Sequence, residues 1–198
     1  MADAALAGLP RLVRVAEEVR MRGVAALGIG TAAAGWWMLA YLIDQDVSVL
    51  KTLVAGGAVG AVTLVIAALF SSRRLSAARE VRRPPTNVVY ETMADGRERR
   101  VRLAGIVVFG VIVLLAFDRL TGGAGEMAGL VAGLFLPVGA VDVLEARSWA
   151  ALERMREDGL GLYVLVRPQA LMASMAAGEV YERPRGDRQE ALPSPFDL

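Results

Sequence analysis

Two carboxylates at the end of an oily stretch, Asp142 and Glu145, are the residues whose type and setting point first to chemistry. An ionisable group held in hydrocarbon is costly, and where one persists it commonly marks an ion pathway, a proton relay or a coupled-transport site. Asp142 is the deeper of the two. About one turn of apolar helix separates it from Arg147 and the surface. Arg102, at the near end of another apolar run, is its expected partner, and the pair Asp142 and Arg102 is read as structural rather than functional. The middles of the apolar runs hold no ionisable residue at all. Thr31 and Thr63 are essentially the polar groups left at depth, and their hydroxyls can bond to their own helix backbone. A water-filled pathway through a single copy of the chain is therefore not expected.

The remaining parts of catalytic chemistry are missing. Cysteine is absent, which excludes disulfides, thiolate metal sites, iron–sulfur clusters and thiol nucleophiles. Histidine is absent too, and with it the commonest general base, metal ligand and haem ligand. No serine can have a histidine partner, so a triad of the usual form cannot be built. Gly28, Gly30 and Gly35 fall inside an apolar run, where a dinucleotide-binding loop has no meaning. Glu17 and Glu18 sit on a charged helix face, where solvation accounts for them. A formal net charge of +1 gives no bulk attraction for nucleic acid. No cofactor, no metal and no enzymatic activity are expected.

The elements that carry these residues follow from the hydropathy pattern. The chain is 55% hydrophobic with 22% charged residues, so its oiliness must be gathered in blocks with the charges between them. Four blocks are near the roughly 20 residues that a helix needs to cross a hydrocarbon core of about 30 Å. They run from about Gly23 to Ile43, Thr52 to Phe70, Val101 to Leu120 and Met127 to Ala146. The third is the shortest uncharged run, with Arg102 at one end and Asp118 and Arg119 at the other, where long side chains reach the headgroups. Arg11, Arg14, Arg20 and Arg22 precede the first block as they would in a signal peptide. Its apolar run is too long for one, however, and it ends in the bulky Tyr41, Leu42 and Ile43, so it is expected to be retained.

Orientation follows from the positive charges. Of 22 basic residues only Lys51 and Arg119 fall in the two loops on one side, which places the other three segments in the cytoplasm. Both chain ends are then cytoplasmic. The excess of Arg over Lys and the wealth of Ala, Gly and Val point to a bacterial cytoplasmic (inner) membrane.

Small residues provide the clearest packing signal. Gly56 and Gly60 stand four apart in the second block, and Gly125, Gly129 and Gly133 keep that spacing in the fourth. Such ridges let helix backbones approach closely, and packing supplies much of the association energy in lipid. Pro137 is expected to kink the fourth helix.

The fold class expected is an all-α integral membrane protein, a four-transmembrane-helix bundle with a small cytoplasmic α+β module. Residues 1–22 form an amphipathic helix, with Leu12, Val15 and Val19 at helical spacing, lying on the inner leaflet or extending the first span. Residues 23–70 and 101–146 are the two transmembrane hairpins. In the loop 71–100, Arg73, Arg74, Arg79, Arg82 and Arg83 are a topology signal that could also contact lipid headgroups. Val88 to Thr92 and Arg97 to Val101, around Asp95 and Gly96, form a β-hairpin. In the segment 147–198 the fourth helix continues to Asp158 and Leu160 to Val166 adds a third strand. Gln169 to Ala177 forms a short helix, and the chain from Glu179 onward is a disordered tail.

The function expected is that of a non-catalytic membrane subunit or scaffold that packs against other membrane helices and presents the cytoplasmic module to partners. Its partners are membrane lipids and either further copies of itself or other membrane subunits. Two rivals remain open: a small transporter or channel whose pore forms between protomers, and a protein that binds anionic lipid.

Overall fold

The structure, a computed structural model, describes residues 9–43, 49–76, 83, 85, 88–91, 93–120, 126–155, 160–166 and 180–184. Most of them belong to four helices: α1 (Val15–Ile43), α2 (Val49–Ser76), α3 (Met93–Leu120) and α4 (Glu126–Met155). Of these, α1, α2 and α4 are long and apolar enough to cross a membrane. Charge sits where the helix dipoles favour it. Glu17 and Glu18 open α1, Asp95 opens α3, and Arg73 and Arg74 close α2. Pro137 lies inside α4.

Packing is organised around α4. Helix α1 runs along one of its faces and α2 along another, while α3 rests mainly on α1 and barely reaches α4. The glycine ridges read from the sequence do meet. A Cβ on Gly56 would stand 3.0 Å from the Gly129 carbonyl oxygen, and one on Gly60 3.4 Å from that of Gly133. Helices α2 and α4 thus touch backbone to backbone, the closest approach that side-chain-free positions permit. Gly125 lies outside the described residues. The α1 face uses a second seam, in which Gly23, Ala26, Gly30 and Ala33 are buried at alternating spacings of three and four. Gly139 of α4 faces that seam, its missing Cβ position 2.7 Å from the Leu27 backbone nitrogen.

A four-stranded sheet closes one end of the bundle, in the order β2-β1-β3-β4. Its strands are β1 (Arg11–Arg14), β2 (Val89–Tyr90), β3 (Leu160–Val166) and β4 (Val180–Pro184). β1 pairs parallel with β2 and antiparallel with β3, and β3 pairs antiparallel with β4. Alternation along β3 sends Leu162, Val164 and Val166 to the helix side, where they join Val13, Val15, Val19, Ala146, Trp149 and Val180 in one core. The opposite face carries Tyr90 and Tyr163, with rings edge to face at 5.6 Å.

The sheet corrects three expectations. Residues 11–14 are a strand rather than the start of an amphipathic helix, because strands on both sides saturate the β1 backbone, as in the bond from Glu91 N to Leu12 O at 3.1 Å. Residues 15–22 are the first turns of α1, the extension rather than a surface-lying helix. The hairpin around Asp95 and Gly96 does not form. Asp95 is instead a favourable first-turn acid of α3, and β2 finds its partner in β1. Finally, Val180–Pro184 is an edge strand where unstructured chain was expected. An edge position tolerates charged residues and a terminal proline, and Val180 adds a buried apolar side chain. The expected third strand, Leu160 to Val166, is β3, paired with β1 rather than with a hairpin. The short helix expected over 169–177 lies outside the described residues.

Candidate functional site

Where the four helices meet the sheet, charged side chains form a collar. Asp142, only 2% exposed, accepts from Arg22 Nε at 2.8 Å and Nη2 at 3.3 Å, and from Arg74 Nη2 at 3.3 Å. The same Arg74 nitrogen lies 3.3 Å from Glu145 Oε2, and Trp149 Nε1 donates to Glu145 Oε1 at 3.1 Å. One network therefore ties α1, α2 and α4 together at a single level. Burying two carboxylates this deeply is tolerable only with cations and hydrogen-bond donors beside them.

A second network joins α1, α3 and the chain that follows β2. Arg99 pairs with Glu18 and also spans Glu91, with Nη2 donating at 3.1 Å and Nε 2.9 Å away. Glu91 has its pKa raised above the usual glutamate range, first by burial and further by the charge of Glu18, with Arg99 pulling the other way. Arg11 of β1 pairs with Asp95 of α3 at 2.8 Å. Glu153 of α4 accepts from the Leu162 backbone nitrogen at 3.1 Å and so fixes β3 to the helix.

Beside the second network, a cleft of about 660 Å³ opens between α1 and α3. Its mouth carries Glu17, Arg20, Glu91, Arg99 and Arg100, and its walls descend through Val24, Gly28, Leu103 and Val107. Within the described residues, no group of three or more acidic side chains is placed to hold a metal ion.

The expected pairing of Asp142 with Arg102 does not occur. Arg102 is 61% exposed and pairs with Glu98 one turn away on α3, because α3 stands off α4 and leaves Asp142 to the helices that touch it. Of the arginine cluster, Arg73 and Arg83 are exposed, Arg74 is consumed by Asp142 and Glu145, and Arg79 and Arg82 lie outside the described residues. Glu18, expected on a solvated helix face, is instead buried against Arg99, and the roles of Arg22 and Arg99 were missed in the sequence. The signal for Glu18 was its place beside Val15 and Val19, an acid on a stripe that was otherwise apolar.

Compared with protein-family models, curated proteins and solved structures, the chain matches none. Every buried carboxylate of the collar is tied to a cation or donor that belongs to a different element or a different turn, which makes the collar a clamp between parts.

Proposed function

We propose that the protein is a non-catalytic membrane subunit or scaffold, in which four transmembrane helices carry a small sheet on the cytoplasmic face of a bacterial inner membrane. The observation that carries this reading is the collar. Arg11 with Asp95 and Glu153 with the Leu162 backbone nitrogen join the sheet to the bundle, while Arg22 with Asp142 and Arg99 with Glu18 lock the helix ends beneath it, so the sheet is held as a platform rather than a tethered loop. A clamped platform suits the presentation of a fixed surface to another protein.

The fourth span in this reading is α3. Its outward residues are apolar, with Val101, Ile106, Val108, Phe109, Ile112 and Val113 all about half exposed or more, which suits lipid and not water. Helix α2 is equally uncovered, with Leu50, Val54, Val62 and Val65 open to the surroundings. These flanks are also the surfaces available to neighbouring membrane helices. The arginine asymmetry supports a cytoplasmic position for the sheet end.

The test is the state of the purified protein in nanodiscs, read by light scattering and cross-linking. A homo-oligomer or a stoichiometric complex is expected. A clean monomer with no associated subunit overturns the scaffold reading, and ion flux through liposomes containing the protein alone would replace it with a pore between protomers.

A further inference from the structure

We propose that the cleft between α1 and α3 is a binding site for one glycerophospholipid, its phosphodiester held by Arg20 and Arg100 and an acyl chain lying between the helices. This rests on α3 being a span, as argued above. The first support is charge. Of the three arginines at the mouth, Arg99 is spent on Glu18 and Glu91, whereas neither Arg20 nor Arg100 has a carboxylate partner among the described residues. Arg100 donates its Nε to the Gly96 carbonyl at 3.0 Å, which steadies the side chain and leaves its terminal nitrogens for an acceptor. Glu17 and Glu91 also line the mouth, but Glu91 is engaged by Arg99, so Arg20 and Arg100 are the cations there with donors left for a phosphate oxygen.

The second support is the polarity gradient. Immediately below the arginines the walls become Met21, Val24, Ala25, Leu103, Ala104 and Val107, without a charged group. Small side chains make the room: Ala25 and Gly28 line the α1 wall and Ala104 the α3 wall. The third is depth. From Arg20 to Gly28 the cleft follows eight residues of helix, about 12 Å at ~1.5 Å per residue. One leaflet of a hydrocarbon core of about 30 Å is ~15 Å deep. The cleft is thus a one-leaflet feature that ends before mid-depth, which fits a lipid and is too short for a crossing helix from another protein. Its volume lies in the range of roughly 300–1,000 Å³ usual for small-molecule sites.

The experiment is native mass spectrometry of the full chain released from phosphatidylethanolamine–phosphatidylglycerol nanodiscs. Wild-type protein should retain a mass of one phospholipid per protomer. Arg20→Ala combined with Arg100→Ala should lose it, and so should Ala104→Leu, which fills the wall without touching charge. Circular dichroism establishes that each variant is folded, and Arg73→Ala with Arg83→Ala, exposed arginines outside the cleft, should retain the lipid. Diacylglycerol, with the same chains and no phosphate, should not be retained. A folded wild-type protein without bound lipid, retention unchanged in the cleft variants, or equal retention of diacylglycerol overturns the proposal. A reporter placed between Leu120 and Glu126 separates the causes: on the far side of the membrane from the chain ends, a negative result counts against the cleft alone. On the same side, it removes α3 as a span and the lipid site with it. Neither outcome depends on whether the protein oligomerises.

Discussion

Replacing Gly139 by alanine puts a methyl carbon 2.7 Å from the Leu27 backbone nitrogen, 2.7 Å from Leu27 Cγ and 2.8 Å from the Gly23 carbonyl oxygen. Ordinary contact begins at 3.4 Å, so the shortfall is about 0.7 Å. Two of the three atoms are backbone and cannot rotate away, which means that α1 and α4 must part. A gap of 0.5–1 Å forfeits about a quarter to a half of each dispersion contact it opens, and the seam through Gly23, Ala26, Gly30 and Ala33 shares that loss. Overpacking of this kind costs about 1–3 kcal/mol, from which the better helix propensity of alanine returns ~0.5–1 kcal/mol. The expected net loss is about 1–2 kcal/mol in reversible unfolding in mixed micelles with rising dodecyl sulfate, followed by circular dichroism. Gly35, Gly57 and Gly105 supply the controls, since a Cβ at each meets nothing within 4 Å. Their alanine variants should unfold with the wild type or slightly later. Leu27→Ala should not rescue Gly139→Ala, because the backbone contacts remain. If Gly139→Ala unfolds together with Gly57→Ala, the close approach of α1 and α4 is wrong.

The collar makes further expectations. Asp142→Ala leaves Arg22 and Arg74 facing each other in a mostly buried setting and should cost about 3–5 kcal/mol in the same assay, whereas Arg102→Ala, an exposed one-turn pair, should stay within ~0.5 kcal/mol. Equal effects would restore the pairing that the sequence led us to expect. Glu91 has a folded-state pKa above its ordinary 4.5, so its contribution is fully present below that value and is lost as pH rises through the raised one. Glu91→Gln should therefore flatten the fall in stability between pH 4.5 and neutrality, and a slope identical to wild type would show that burial does not govern this group. Leu162→Ala empties a fully buried site where sheet meets helix and should cost about 2–5 kcal/mol, exposing the sheet to limited proteolysis while helical circular dichroism persists.

Hydropathy and small-residue spacing made the bundle legible. Gly56, Gly60, Gly129 and Gly133 could be read because a four-residue period on two apolar runs has one structural use, close approach. The α1 seam was equally present as Gly23, Ala26, Gly30 and Ala33, but its three-and-four spacing is less conspicuous in a chain rich in Gly and Ala. The sheet was harder because strand pairing is decided by partners distant in sequence. Leu12, Val15 and Val19 satisfy a helical period, and nothing local reveals that β3, about 150 residues later, supplies a ladder for Arg11 to Arg14. Asp95 and Gly96 carried a turn signal that a helix start used instead. The Asp142 partner was misassigned for a related reason. Depth along each helix is readable from sequence, but which helices are neighbours is not, and α3 turned out to stand away from α4.

The same topology joins the sheet to the bundle without slack. β1 is an inner strand with neighbours on both sides, and Arg14, its last residue, is followed directly by Val15, the first residue of α1. No linker intervenes, so a tilt of α1 must either carry the sheet with it or break the ladders to β2 and β3. The collar opposes the tilt itself: Glu18 and Arg22, near the start of α1, are bound to α3, α2 and α4 through Arg99, Asp142 and Arg74. Helix α3 is the part least restrained at depth, because below Arg99 its contacts give way to the cleft. An occupant there would brace α3 against α1, and through Arg99 and Arg11 it would stiffen the strands as well. On the lipid-site proposal, occupancy of the cleft and rigidity of the sheet are coupled, and protection of the Leu160–Val166 amides from hydrogen exchange should rise when phospholipid is added to delipidated protein.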